Sequence, residues 1–181
     1  MRNFRTYLRA FELADYQTTL KWHNDDEIWS TVVGPKYFVS PEYEKKWIED
    51  TVFSKDSIKL AVCLIENNQL IGSVSLTEFD WINRSAVSGT MIGDKKLWRM
   101  GFATEAKLQL LEFGFQERGL HRISCQILES NTASRRLYLK CGYKEEGLLR
   151  DAVFKDGRYQ NLVIMSILRQ EFLEIRKLYE S

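Results

Sequence analysis

The sequence predicts a single-domain mixed α/β protein in which helices pack on one central sheet. Three observations lead there. Seven stretches have strand character, and helical stretches lie among them without a regular strand–helix–strand repeat. A length of 181 residues suits one domain with a sizeable core, so residues 1–181 are read as one unit. Apolar residues make up 44% and charged residues 28%, and the 2 prolines argue against long linkers.

Taken in order, Asn3 to Arg9 (NFRTYLR) alternates weakly and reads as a first strand. Asp15 is placed to N-cap a helix through Leu20 and Trp22, which gives way to a loop in Trp22 to Trp29 (WHNDDEIW). Ser40-Pro41-Glu42 is a helix start: a capping hydroxyl, proline at the first helical position and an acid in the first turn. That helix runs to about Phe53. Ile58 to Ile65 and Leu70 to Glu78 are strands joined as a hairpin through Glu66-Asn67-Asn68-Gln69. Asn83-Arg84 turns into a further strand, Ser85 to Gly93. From Phe102 a helix carries Ala103, Ala106, Leu110 and Phe113 on one face and stops at Arg118-Gly119. His121 to Leu128 is a strand, Asn131 to Lys140 a short helix stopped at Cys141-Gly142. A final hairpin, Gly147 to Phe154 and Tyr159 to Leu168, turns at Lys155-Asp156-Gly157-Arg158, and a charged helix ends the chain.

Several function classes are disfavoured at once. The net charge of +1 supplies no field for nucleic acid or a membrane surface, and the five tryptophans do not interleave with a basic stripe. No apolar run reaches spanning length, and MRNFRTYLRAFE has no apolar core of a signal peptide. Cys63, Cys125 and Cys141 lie far apart, an odd set that predicts reduced core thiols in a cytoplasmic protein and no zinc site. His23 and His121 each lack a clear partner, so core or surface roles are the default for both.

Two stretches carry chemistry. Trp98 to Ala106 (WRMGFATEA) places Gly101 in the turn between a strand and a helix. A glycine there lets ligand atoms approach the backbone, and the free N–H groups of a first helical turn attract anions. Alone, this is also how an ordinary strand-to-helix turn reads. The second stretch, Asn131-x-x-Ser134-x-x-x-Tyr138-x-x-x-Gly142-Tyr143, changes the odds.

Together, in this order and spacing, the two stretches resemble the GNAT family of N-acetyltransferases. Trp98-x-x-Gly101-x-Ala103 stands where the family has its pyrophosphate loop. Asn83-Arg84, the Ala103 to Ala106 run and the final FKDGRYQNLVIMSIL look like the branch with ribosomal-protein N-terminal and spermidine acetyltransferases. Trp98 replaces a polar first residue of the loop, and Val87 stands where that branch often has a glutamate. The resemblance implies a mostly antiparallel sheet of about seven strands flanked by helices, with acetyl-CoA as co-substrate. It implies a direct attack of a bound primary amine on the thioester; no activated nucleophile supports an acyl-enzyme.

The resemblance also implies residue roles. Backbone N–H groups of Arg99, Met100, Gly101, Phe102, Ala103 and Thr104 would hold the diphosphate. The pantetheine would pair with the fourth strand near Thr90, Met91 and Ile92. Asn131 and Ser134 would meet the cofactor or simply cap their helix. Tyr138, four residues after Ser134 on the same face, would protonate the departing thiolate, or else be a packed core tyrosine. Glu78 would relay the amine proton through water, bind a cationic substrate, or sit as a solvated acid. Asp25, Asp26 and Glu27 would attract a basic acceptor or form a solvated loop, and Arg135, Arg136 and Lys140 would meet the 3′-phosphate or solvent. In the family the acceptor pocket is built from the first helices, here Tyr16 to Phe53. Polyamine, peptide N-terminus and amino sugar all stay open as acceptors, as does homo-oligomerisation. A non-catalytic module binding CoA or a metabolite on the same fold is the rival reading.

Overall fold

The computed structural model describes residues 4–180, so Asn3 of the expected first strand lies outside them. Its seven strands are β1 (Thr6–Arg9), β2 (Ile58–Leu64), β3 (Leu70–Asp80), β4 (Ser85–Ile92), β5 (Arg122–Leu128), β6 (Lys144–Lys155) and β7 (Arg158–Leu168). They form one sheet in the order β1-β2-β3-β4-β5-β7-β6. Every neighbouring pair is antiparallel except β4–β5, which is parallel and pairs only Ser85, Ala86 and Val87 with Arg122, Ile123 and Ser124.

The helices divide between the two faces. On one lie α1 (Tyr16–His23), α2 (Asp26–Thr31) and α3 (Pro41–Phe53); on the other α4 (Phe102–Glu112), α5 (Thr132–Lys140) and α6 (Arg169–Glu180). Strand alternation distributes the core between them. Ala61 and Cys63 of β2 join Phe11, Trp22, Ile28 and Ile48 on the α1–α3 face, while Val62 and Leu64 join Ala106, Leu110, Phe115 and Phe172 on the other. The Trp22 ring lies flat on the end of β4: a Cβ at Gly93 would fall 1.9 Å from it. Only glycine permits that approach, and it fixes α1 beside the strand.

The helix starts follow the capping rules. Ser40 Oγ accepts the Tyr43 N–H and Pro41 opens α3, as expected. Two local expectations are corrected. Asp15 has helical backbone angles as the last residue of a tight 3-10 turn, Leu13–Asp15. Its carboxylate therefore points back, accepting the Glu12 N–H at 2.8 Å and the Arg9 guanidinium at 2.7 Å, instead of capping α1. The expected loop at Asp25 to Glu27 is the start of α2. Asp25 accepts the N–H groups of Glu27 and Ile28, so the acids complement a helix N-terminus.

Other boundaries move, among them the strand expected from Gly147, which begins at Lys144. The helix from Phe102 does not run regularly to Gly119 but passes through a π-helical turn at Phe113–Glu117. Glu78 does not end β3; the strand continues to Asp80 through an irregularity at which Glu78 takes φ 51°.

Candidate active site

The site begins where β4 and β5 part. Beyond Val87 and Ser124, side chains take the carbonyls that the next ladder bonds would use. The Ser88 hydroxyl donates to the Ser124 carbonyl at 3.1 Å, and the Tyr143 hydroxyl lies 2.8 Å from Ser88 Oγ. The Tyr138 hydroxyl donates to the Ser88 carbonyl at 3.4 Å. Further along β4, Lys107 Nζ donates to the Gly89 carbonyl at 3.3 Å, and the Trp98 indole N–H to the Ile92 carbonyl at 2.7 Å. Thr90 Oγ1 in this stretch is buried, with the Tyr138 hydroxyl as its polar neighbour and no well-formed hydrogen bond of its own. A polar group so weakly engaged where β4 has left β5 suits a ligand that supplies a partner.

At the far end of β4 the glycine turn is formed as its spacing predicts. Gly101 takes φ 91° as the N-cap of α4, a conformation that favours glycine. Arg5 fastens the loop from β1's side, donating to the Met100 carbonyl at 2.8 Å and to Glu105 Oε1 at 2.7 Å, with its guanidinium 4.2 Å from the Phe102 ring centroid. Within the expected run of N–H donors, Met100 and Thr104 are already engaged, with Leu97 and Gly101 carbonyls respectively. Those of Arg99, Gly101, Phe102 and Ala103 have no acceptor among the described residues. Four free N–H groups at the positive end of an eleven-residue helix fit a diphosphate.

Tyr138 is 3% exposed, its ring edge-on to Tyr143 at 4.9 Å between centroids. Burial pushes its phenol well above the ordinary tyrosine value, so it keeps its proton at neutral pH. Beside it lies a residue that sequence reasoning passed over. Lys107 on α4 is fully buried, 4.9 Å from the Tyr138 ring centroid. Desolvation lowers its ammonium to about 8. Helical spacing would have flagged it, since Lys107 lies between Ala103 and Leu111 on an inward stripe, but lysine is read by default as a surface residue.

On the opposite face a cavity of about 580 Å³ lies between α1–α3 and strands β2–β4, reaching β4 at Met91. Phe11, Trp29 and Trp47 give it an aromatic wall; Lys59, Ser75 and Thr77 supply its polar side. His23 also lines it, and this histidine has a partner: its Nδ1 is 2.8 Å from Oε2 of Glu44, a carboxylate with no exposure. The pair joins α1 to α3 across 21 residues, and no local signal in the sequence announces it.

The remaining candidates divide. Ile92 is buried, its carbonyl taken by Trp98, while Met91 lies against the α1–α3 cluster. Asn131 caps α5, accepting the Ser134 N–H at 2.9 Å, and its amide donates to the Thr31 carbonyl at 2.8 Å, so it ties α2 to the second motif. Ser134 is half-buried one turn before Tyr138. Glu78 is exposed, and its neighbour Thr77 rather than Glu78 lines the cavity. The acids of α2 are not free, because Lys95 Nζ lies 2.7 Å from Asp25 and 2.9 Å from Glu27. Arg135 is ion-paired with Glu145, which explains why it does not stand out as a free phosphate ligand.

A split sheet with an anion-ready helix start on one side and a cavity of about 580 Å³ on the other suits a transferase that joins an extended anionic cofactor to a small acceptor. The chain belongs to the GNAT acetyltransferases: the model described as an acetyltransferase (GNAT) domain matches residues 5–144. It is 30% identical over 174 residues to the spermidine N(1)-acetyltransferase of Vibrio cholerae serotype O1, covering 94% of this chain and 97% of that one. It is 28% identical to the uncharacterized N-acetyltransferase p20 of Bacillus licheniformis, over 93% of this chain and 95% of p20. The crystal structure of the V. cholerae spermidine N-acetyltransferase with CoA and spermine superposes with a TM-score of 0.87 at 29% identity, covering 94% and 99% of the two chains. The protein is therefore an acetyl-CoA-dependent N-acetyltransferase that acetylates an amine. No helix among the described residues is long and apolar enough to cross a membrane.

Proposed function

We propose that the acceptor presents one primary amine on an apolar body, as a small monoamine or a peptide N-terminus does. The observation that carries this is the cavity wall: aromatic faces and Lys59, with no exposed-facing carboxylate among its described lining residues. The aromatic faces offer apolar contact to the body of the acceptor, while Lys59, whose Nζ lies 5.2 Å from the Trp47 ring centroid, disfavours an acceptor that carries several positive charges. A polyamine is the second reading, favoured by the similarity to the V. cholerae spermidine enzyme, whose structure holds spermine. Its further ammonium groups would then lie outside this cavity.

In this reading the cofactor diphosphate sits on the N–H groups of Arg99, Gly101, Phe102 and Ala103, and its pantetheine runs along β4 from Met91 and Ile92 toward Thr90. The amine nitrogen attacks the thioester carbon; the C–N bond forms as the C–S bond breaks. The Tyr138 hydroxyl gives its proton to the leaving thiolate. Asn131 and Ser134 hold the start of the helix that carries Tyr138. The three buried free thiols support a reducing, cytoplasmic setting. The test is thiol release from acetyl-CoA with an alkyl monoamine, an N-terminal peptide, an amino sugar and spermidine. A kcat/KM for the monoamine or peptide at least tenfold above spermidine is expected; the reverse order selects the polyamine reading, and release with the amino sugar alone overturns both.

A further inference from the structure

We propose that His23 is the proton acceptor for the incoming amine and that Glu44 is its positioning residue. This rests on the acceptor cavity assigned above and names the base for that site. The motivating observation is an expensive arrangement. Glu44 has no exposed side-chain surface, yet one oxygen is spent on a histidine and the other, Oε1, has no hydrogen-bond partner among the described residues. Burying a carboxylate with one oxygen unpaired costs stability, which makes the pair a candidate for function.

The geometry says what it serves. An ionised Glu44 can only accept, so His23 Nδ1 is the donor in this pair, and in the neutral imidazole Nε2 is the nitrogen free to take a proton. Trp47 stands perpendicular to the imidazole with centroids 4.9 Å apart, and Trp29 lies at 6.4 Å while its indole N–H holds the His23 carbonyl. The ring is thus fixed on its Nδ1 edge and by two aromatic walls, and it lines the cavity that reaches β4 at Met91. The charged groups that face it are Glu44 from α3 and Lys59 from β2, with Lys155 Nζ 5.8 Å from the Trp29 ring centroid behind. Glu44 is the sole one in hydrogen-bond contact with the imidazole among the described residues.

Attack by a neutral amine produces a nitrogen with a surplus proton. His23 Nε2 takes that proton as the C–N bond forms. The imidazolium so formed is stabilised by Glu44 at 2.8 Å and returns its proton to solvent after product leaves. The thiolate takes its proton from Tyr138, which regains one from solvent as His23 releases one, so amine, acetyl group and protons balance to amide plus CoA thiol. The role differs from a packing contact in having a pH signature. A general base acts only when unprotonated, so the pH profile of kcat is a readout that a packing role would not move.

The experiment is a kcat–pH profile for wild type, His23→Gln and Glu44→Gln on the best amine of the panel, with CoA affinity measured by calorimetry. His23→Gln should lower kcat about 100-fold or more at neutral pH, the range general bases contribute, and change the low-pH side of the profile. Glu44→Gln keeps the side-chain shape but removes the carboxylate that holds Nδ1. It should lower kcat by a smaller factor, with KM for the amine little changed. CoA affinity should stay unchanged in both. A His23→Gln protein within twofold of wild-type kcat, or a Glu44→Gln protein with wild-type kcat, overturns the assignment while leaving the acetyltransfer reading intact. If His23→Gln fails to fold, the split between kcat and KM in Glu44→Gln decides alone. Absence of turnover by the wild type on every amine sinks both the acceptor reading and this one.

Discussion

The two halves of the site are built by different physics. The proposed cofactor half rests on main-chain groups: free N–H donors at Arg99, Gly101, Phe102 and Ala103, and the stretch of β4 beyond Val87 that has left β5. The acceptor half uses side chains brought together from distant segments, His23 with Glu44 and Trp29 with Trp47 around one cavity. Backbone recognition needs only a turn of defined shape, so a glycine and a cap suffice. Side-chain recognition needs every wall to arrive from elsewhere in the fold. Binding of CoA and choice of amine should therefore separate under substitution, and four changes probe how cleanly.

The largest effect is expected at Gly101→Val. Valine disfavours φ 91°, and its Cβ would meet Arg5 Nη2 at 3.3 Å, so the loop must rearrange where the free N–H groups converge. Losing two charge-assisted bonds corresponds to at least about 100-fold in CoA affinity. Calorimetry with CoA reads the loss, and circular dichroism checks that the fold survives. Unchanged affinity in a folded variant would place the anion site elsewhere.

Tyr138→Phe lies where the halves meet. The substitution removes one hydroxyl and its 3.4 Å bond to Ser88 while leaving the ring packed on Tyr143. General acids contribute about 10²–10⁴-fold, and a CoA thiol is a good leaving group, so a loss near the low end is expected in kcat with CoA affinity nearly constant. A variant within about twofold of wild type, well short of that contribution, would falsify the acid role and leave Tyr138 as a packing residue.

Lys107→Met asks whether the cofactor half is as simply built as its backbone suggests. The folded-state value near 8 lies below the ordinary lysine value, so the unfolded chain binds more protons between them. The burden of charging this buried amine is full below pH 8, and stability rises as pH increases from there toward about 10.5. Methionine removes the burden, so the variant should be more stable than wild type at pH 7 by about 1–3 kcal/mol, the two converging by pH 10. Urea unfolding at both pH values checks it. A variant that is less stable at pH 7 would mean that the Gly89 bond and the Tyr138 ring more than offset desolvation.

The smallest effect belongs to Asn131→Ala, the link between the halves. It removes the cap on Ser134 and the bond to the end of α2 at Thr31, for a cost of about 1 kcal/mol in the unfolding free energy from the cap alone. Both KM for the amine and affinity for CoA should rise or weaken slightly together. A change confined to one ligand would show that Asn131 does not couple them.

Much of this was legible in the chain because local rules governed it. Gly101 before a helix, Ser40-Pro41 at another and the Asp156-Gly157 hairpin turn each constrain a few consecutive residues. Strand periodicity then ordered the elements, and the spacing of Asn131, Ser134 and Tyr138 placed three groups on one short helix. Other features depended on distance. Asp15 turned back to Arg9, Lys95 neutralised the acids at Asp25 and Glu27, and Glu145 took Arg135. The sequence by itself thus determined the order of elements, the glycine turn and the helix that carries Tyr138, because hydrophobic period and capping chemistry act within a turn or two. Only the tertiary structure decided where β4 leaves β5, that Lys107 is buried, and that His23 meets Glu44 at the cavity. Those outcomes rest on desolvation and pairing between residues that share no local signal, and these are fixed only once the two faces of the sheet have closed.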